Sequence, residues 1–311
     1  MGDLQRVRDD DHPDPNPPQG AVRLTMDHIF FLGTLMCVWV MVCLAANFVI
    51  GYTGMMAMGQ AVYLGVGAYA SATLNIYLGV NYFAAMALAA VVTGAVAVLT
   101  LLPLLRLSGF YFALATLGLN FVFFDLFHNL GPRVEGSEGL YGLELPAALG
   151  SPHAQIVTGL LITIACVLAA NRLVGGAFGR ALRATRDRPD ALIALGKNPV
   201  HYQIVIWGVS GALTGLAGAL YAATLFYIDP TLFTLNASIL VLVYVGVGGL
   251  ASNAGSVLGA VLLIAFTESF RYLGLPSVLA GPIQQGLYGA LLVGLMLFRR
   301  QGLVGNHDFQ E

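Results

Sequence analysis

The chain reads as long, unbroken apolar runs separated by short polar stretches, and the runs carry no period-two alternation. A helix needs about 20 mostly apolar residues to cross the hydrocarbon core, whereas the strands of a membrane barrel alternate apolar and polar positions. The candidate segments are residues 28–48, 55–78, 82–105, 110–130, 153–173, 202–226, 233–250, 256–272 and 282–298. This pattern predicts an all-α polytopic membrane protein with about nine transmembrane helices, between about eight and ten. The longest polar connections, residues 131–152 and 174–201, are too short to fold a core of their own. Residues 28–300 therefore form one transmembrane domain between an N-terminal tail, 1–27, and a C-terminal tail, 301–311. In the first tail Asp9, Asp10, Asp11, Pro13, Pro15, Pro17 and Pro18 leave no apolar stretch for a cleavable signal, and a disordered leader is expected.

Composition sharpens this picture. Hydrophobic residues make up 58% of the chain and charged residues only 10%, with a mean hydropathy of +0.79, against about 25% charged residues in soluble domains. Soluble enzymes are excluded, and a net charge of -2 supplies no basic field for a nucleic acid. Placement of charge matters more than its balance. Arg172, Arg180, Arg183, Arg186, Arg188 and Lys197 cluster around the connection 174–201, which the positive-inside rule puts in the cytoplasm. Arg299 and Arg300 end the last span on the same side, Arg106 also falls inside, and the connection holding Arg133, Glu135, Glu138 and Glu144 falls outside. Strict alternation puts the N-terminus outside, unless the glycine-rich stretch 51–67 hides an extra crossing or a re-entrant turn.

Little reaction chemistry is visible. Gly196-Lys197-Asn198 lacks the glycine loop of a nucleotide-binding motif, so any ATP belongs to a partner. His12, His28, His128, His153, His201 and His307 are scattered, and Cys37, Cys43 and Cys166 lie in apolar runs as packing residues; no metal-ligand spacing results. Asp125 is an acid within the fourth span, which makes it a candidate for a translocation path. Glu268 stands three residues before Arg271, the spacing of a local helical ion pair, and Asp229 before Pro230 reads as a turn.

Two stretches are unusual. Gly51, Gly54, Gly59, Gly65 and Gly67 weaken a helix by about 1 kcal/mol each relative to alanine. Such a segment either breaks and lines a path or lets helices pack closely; Gly246, Gly248, Gly249, Gly255 and Gly259 form a second set. Gly208, Gly211, Gly215 and Gly218 in the sixth span read as a close-packing stripe. The second unusual stretch is cytoplasmic. Residues 179–196 hold Arg180, Arg183 and Arg186 on one helical face, Pro189 at the start of a second short helix, and Gly196 at its end. Leu182, Ala184, Leu192, Ile193 and Leu195 add an ordered apolar set, more than attraction to anionic headgroups requires. That combination fits a docking element for a cytosolic partner.

These blocks together resemble the membrane permeases of branched-chain amino acid ABC importers, within them the LivM type. The early signature is carried by Gly51, Tyr52, Gly54, Gly59, Gly67, Ala68 and Tyr69; the cytoplasmic one by Gly179, Arg180, Ala181, Arg183, Ala184, Arg186, Ala194, Leu195 and Gly196. Gly211, Gly215 to Tyr221, Gly248-Gly249-Leu250, Gly255, Gly259-Ala260 and Gly302-Leu303 follow in order, so the resemblance covers roughly residues 28–305. Ala57 and Gln60 stand where the family has Ser and His, and the Pro before the closing Arg-Gly-Leu is absent.

The resemblance implies a bacterial inner-membrane subunit that pairs with a second permease as a heterodimer. Two cytosolic ATP-binding subunits would hold ATP and magnesium, a periplasmic binding protein would deliver branched-chain amino acids or a related small polar solute, and this chain would bind no cofactor. It implies coupling to the ATPases through Gly179, Arg180, Arg183, Ala184, Arg186, Leu195 and Gly196, and a path along Gly51, Gly54, Gln60, Gly65, Gly67 and Tyr69. The rival reading is an ion-coupled secondary transporter using Asp125 and unwound backbone; a membrane-embedded enzyme would need a nucleophile and base that are not evident.

Overall fold

The computed structural model describes residues 19–129 and 139–271 except 144, 147 and 148, together with 286–287, 289–290, 293–294 and 303–304. Helix α1 (Gln19–Asn47) passes into a π turn (Phe48–Tyr52), followed by α2 (Gln60–Leu78), α3 (Tyr82–Leu104) and α4 (Phe110–His128). Then come α5 (Pro152–Gly175), two short helices α6 (Ala177–Asp187) and α7 (Pro189–Ala194), and the long α8 (Pro199–Leu225). A 3-10 turn (Pro230–Phe233) leads into α9 (Leu235–Gly248) and α10 (Asn253–Arg271). Strands β1 (Leu140–Tyr141) and β2 (Tyr227–Ile228) pair antiparallel. Local chemistry sets the ends. Asn81, Ser151 and Asn198 accept backbone N–H bonds as N-caps of α3, α5 and α8, the last two followed by proline at the first helical position, where its missing donor costs nothing.

The expected boundaries hold for most spans and fail in two places. α1 begins at Gln19, so the last residues of the expected disordered tail are helical. Among the described residues six helices are long and apolar enough to cross a membrane, and the expected seventh and eighth spans are the two legs of a pair bent by 118°. α9 has 14 residues; at about 21 Å of rise it falls short of a roughly 30 Å hydrocarbon core, and the 3-10 turn supplies part of the difference. Of the ninth segment only scattered helical positions are described; Arg133, Glu135, Glu138, Glu144, Arg299 and Arg300 lie outside the described residues, as does the side chain of Arg271.

Helix directions settle the N-terminal side. Gly33 packs on Ile156, Thr163 bonds the Cys37 carbonyl, and Leu44 clusters with Ala170, so α1 runs parallel to α5. α1 therefore ends on the same side as the basic connection at the end of α5, the side the positive-inside rule makes cytoplasmic, and the glycine-rich stretch adds no crossing. α10 runs back along α1, from Ser256 beside Asn47 to Glu268 beside His28 at 3.8 Å.

α8 is the centre of the bundle, flanked by α1, α2 and α3. Its glycine stripe is packing, as expected. A Cβ at Gly215 would lie 2.7 Å from Thr93, and one at Gly67 would lie 2.5 Å from the Gly215 backbone. Without a hydrophobic drive between helices in lipid, close backbone approach of this kind is what holds them. The exposed faces of α3, α4 and α5 carry Val91, Leu99, Phe121, Val122, Leu161 and Leu168.

Candidate coupling and translocation site

At the cytoplasmic end three separate parts of the chain meet around Asn47. Its side-chain oxygen accepts from Ala251 N–H at 3.0 Å, and its amide donates to the Ser252 carbonyl at 2.9 Å and to Ser256 Oγ at 2.7 Å. These bonds satisfy backbone groups freed where α9 breaks from α10, the condition for tolerating a break at membrane depth. Tyr52 donates to Asn253 Oδ1 at 3.1 Å, and the Asn253 amide donates to Asn171 Oδ1 at 2.8 Å. Gly51 must lack a side chain here, since a Cβ would meet the Ala251 nitrogen at 2.5 Å. Gly51 of the first set thus packs on the break between α9 and α10, beside the second set.

From Gly54 to Gly59 the chain is not helical and climbs back into the bundle. Its polar groups are met by side chains: Met58 N–H donates to Thr116 Oγ1 at 3.0 Å, and the Asn120 amide donates to the Met58 carbonyl at 2.8 Å. Ala61 N–H donates to Ser238 Oγ at 3.0 Å, and Ser238 donates to Asn120 Oδ1 at 2.7 Å. Gln60 is buried and donates to Ser210 Oγ at 3.1 Å and Thr214 Oγ1 at 2.8 Å. It ties the start of α2 to α8. Beside the extended segment lies a cavity of about 430 Å³ lined by Gly54, Met55, Met56, Ser108, Phe112 and Gln203. It sits at the inner mouth, between the broken span and the cytoplasmic turn before α4.

The basic connection is built onto this broken span. α6 buries Gly179, Ala181, Leu182 and Thr185. Arg186 donates through Nη1 to the Gly51 carbonyl, and its aliphatic stem covers Gly54, whose φ is +73. Arg183 donates to the Val174 carbonyl at 3.1 Å and the Gly179 carbonyl at 3.4 Å. These two arginines face the chain's own backbone, while Arg180 and Arg188 face solvent. Gly196, with φ +73, ends the second helix as expected. Gly179 does not terminate α6; it lies inside it, where a Cβ would run into the Val174 backbone. Of the apolar set, Leu182 and Leu192 are buried, whereas Ile193 is 58% and Leu195 74% exposed.

At the outer end Gly65 makes room for two phenyl rings, since a Cβ there would lie 2.6 Å from Phe127 and 3.0 Å from Phe233. Tyr69 stacks on Phe127 with centroids 4.8 Å apart and meets Phe233 edge-on at 6.2 Å. Asp229 accepts from Thr231 N–H at 2.7 Å and from Tyr227 Oη at 2.8 Å. Burial pushes its carboxyl up, but these donors outweigh burial and hold it below its ordinary value, while the bond to Asp229 raises the Tyr227 phenol. Asp125 is exposed on α4. Among the described residues no Asp, Glu, Lys or Arg is buried, and none form a cluster able to hold a metal ion.

The structure therefore brings Gly51, Gly54 and Arg186 into direct contact, with Arg183 one helical turn away. Gln60, Gly65, Gly67 and Tyr69 follow outward along α2, and Arg180, Leu195 and Gly196 lie on the cytoplasmic surface. Sequence reasoning missed Asn47, Asn120, Ser238 and Asn253. The available signal was an amide inside an apolar run, since a buried amide is costly unless fully bonded.

A family model described as the branched-chain amino acid transport system permease component matches residues 28–298. The high-affinity branched-chain amino acid transport system permease protein LivM of Salmonella typhimurium is 29% identical over 300 residues, covering 88% of this chain and 69% of that protein. Its Escherichia coli counterpart is 28% identical over the same shares. A probable branched-chain amino acid transport permease protein LivM of Methanocaldococcus jannaschii is 24% identical over 312 residues, covering 85% and 89%. No solved structure gives a significant match to the chain.

Proposed function

The chain belongs to the branched-chain amino acid transport permease family and is a multi-pass inner-membrane protein, and from that premise we propose that it is the membrane subunit of an ATP-driven importer. Its cargo is a branched-chain amino acid or a related small polar solute, delivered by a periplasmic binding protein. ATP and magnesium are held by two cytosolic subunits that dock on α6 and α7. A second permease covers part of the exposed apolar surface, and lipid covers the rest.

The observation that carries this reading is the fastening of α6 to the broken span. Ile193 and Leu195 stand out from the cytoplasmic surface beside Arg180 and Arg188, where a partner can grip them. On the other side of the same short helices, Arg186 holds Gly51. A displacement applied at the tip is thereby passed to the π turn, the extended segment and the hinge between α9 and α10, a bistable arrangement of packed elements. Asp125 is exposed, and among the described residues no acid is buried to bind a coupling ion.

The test is reconstitution of the chain with the products of its neighbouring genes in proteoliposomes. Leucine uptake that requires ATP and survives an uncoupler supports the importer. Uptake that needs only an ion gradient contradicts it.

A further inference from the structure

Nearly every polar group buried in this bundle is bonded, and the exception is instructive. Tyr69 is 4% exposed, and its hydroxyl is the one buried side-chain polar atom, among the described residues, without a hydrogen-bond partner. Leaving such a group unpaired is unfavourable, and phenylalanine would fill the same space with no polar atom to satisfy. The residue thus carries a cost for which packing gives no return, and such exceptions call for a functional account.

The surroundings say what the hydroxyl suits. The Tyr69 ring stacks on Phe127, Phe233 stands edge-on to both, and Tyr221 continues the cluster against Phe233. Asp229 is the N-cap of the 3-10 turn that carries Phe233, and it accepts from Thr231 N–H at 2.7 Å and from Tyr227 Oη at 2.8 Å. Aromatic faces attract a cation through the ring quadrupole, a phenol oxygen accepts from one, and the Asp229 carboxylate supplies opposite charge at the outer rim. Each of these groups favours the same ligand chemistry.

We propose that Tyr69, the ring faces of Phe127 and Phe233, and the carboxylate of Asp229 form an outer recognition point for the primary ammonium group of the transported solute. The inference rests on the importer reading and adds the group by which the permease itself senses cargo. In the closed arrangement the rings seal the outer end. As they part, the ammonium passes from Asp229 to the Tyr69 oxygen, replacing its hydration shell with acceptors already in place.

The experiment uses the complete reconstituted complex with leucine as the probe. Tyr69→Phe is expected to lower leucine uptake about tenfold or more, equivalent to one hydrogen bond of about 1.4 kcal/mol, while leaving the thermal unfolding midpoint unchanged or higher. Asp229→Asn is expected to lower uptake, with partial recovery in Asp229→Glu. Saturation-transfer NMR on the complex without its binding protein should detect leucine and not 4-methylpentanoate, which lacks the ammonium. Tyr69→Phe with normal uptake overturns the proposal, as does Tyr69→Phe with a lowered midpoint, which would mean the hydroxyl serves the fold. Equal binding of 4-methylpentanoate overturns the ammonium assignment. A wild-type complex that hydrolyses ATP but never takes up leucine overturns the importer reading itself, before any variant is made.

Discussion

The two ends of the bundle solve opposite problems. At the cytoplasmic end the backbone is broken twice, at residues 54–59 and at 249–252, yet Asn47, Asn120, Ser238 and Asn253 meet the freed groups. At the outer end the contacts around Tyr69 are aromatic, and its hydroxyl is the one buried side-chain polar atom, among the described residues, without a partner. Hydrogen bonds are directional and transmit displacement, whereas ring contacts are non-directional and can slide or part. The inner end is built to be pulled as a unit, the outer end to open.

The contrast predicts substitution effects of opposite sign. Asn47→Leu should have the largest effect. It strands the Ala251 N–H, at about 1–3 kcal/mol, and takes one bond each from the Ser252 carbonyl and the Ser256 hydroxyl, which keep their bond to each other; a large fall in the thermal midpoint in detergent would show it. Arg186→Ala removes a charged donor from the Gly51 carbonyl, an interaction of about 1.5–3 kcal/mol; it should abolish most transport while leaving the chain in the membrane. Gln60→Leu keeps the volume but loses two bonds between α2 and α8, and should lower stability by about 1–2 kcal/mol. Tyr69→Phe at the outer end should instead leave stability equal or raise it by up to about 1 kcal/mol.

The smallest effect is a pH dependence. The Asp229 carboxyl is held below its ordinary 3.8, so what it contributes to the outer turn is present above that value. The contribution is lost as pH falls through the lower folded value. Tyrosine fluorescence should therefore report no Asp229-dependent change between about pH 5 and 8 and a loosening only below about pH 4.

Much of this was legible in the sequence. Apolar run length gave the helices, and the α6–α7 pair with Pro189 and Gly196 emerged nearly as expected. The division of labour within that pair was not legible. Arg180, Arg183 and Arg186 share a helical spacing, but only the fold shows that Arg186 reaches across 135 positions to Gly51 and that Leu182 and Leu192 face inward while Ile193 and Leu195 face out. The glycine-rich stretch left two readings, and each holds for a different part of it: Gly51 and Gly54 mark a break, whereas Gly65 and Gly67 are packing positions. The bend between α9 and α10 depends on Asn47, some 200 positions away, which no local pattern can announce.

The most direct test separates gripping from transmission. Tagged chain carrying either Leu195→Asp or Arg186→Ala would be co-expressed with its neighbouring genes, purified in mild detergent, and assayed for bound ATPase and, after reconstitution, for leucine uptake. The account predicts that Leu195→Asp loses the ATPase, whereas Arg186→Ala retains it in stoichiometric amount and fails to transport. Normal uptake by Arg186→Ala, or loss of the ATPase from it, would contradict the claim that this arginine links the coupling helices to the broken span.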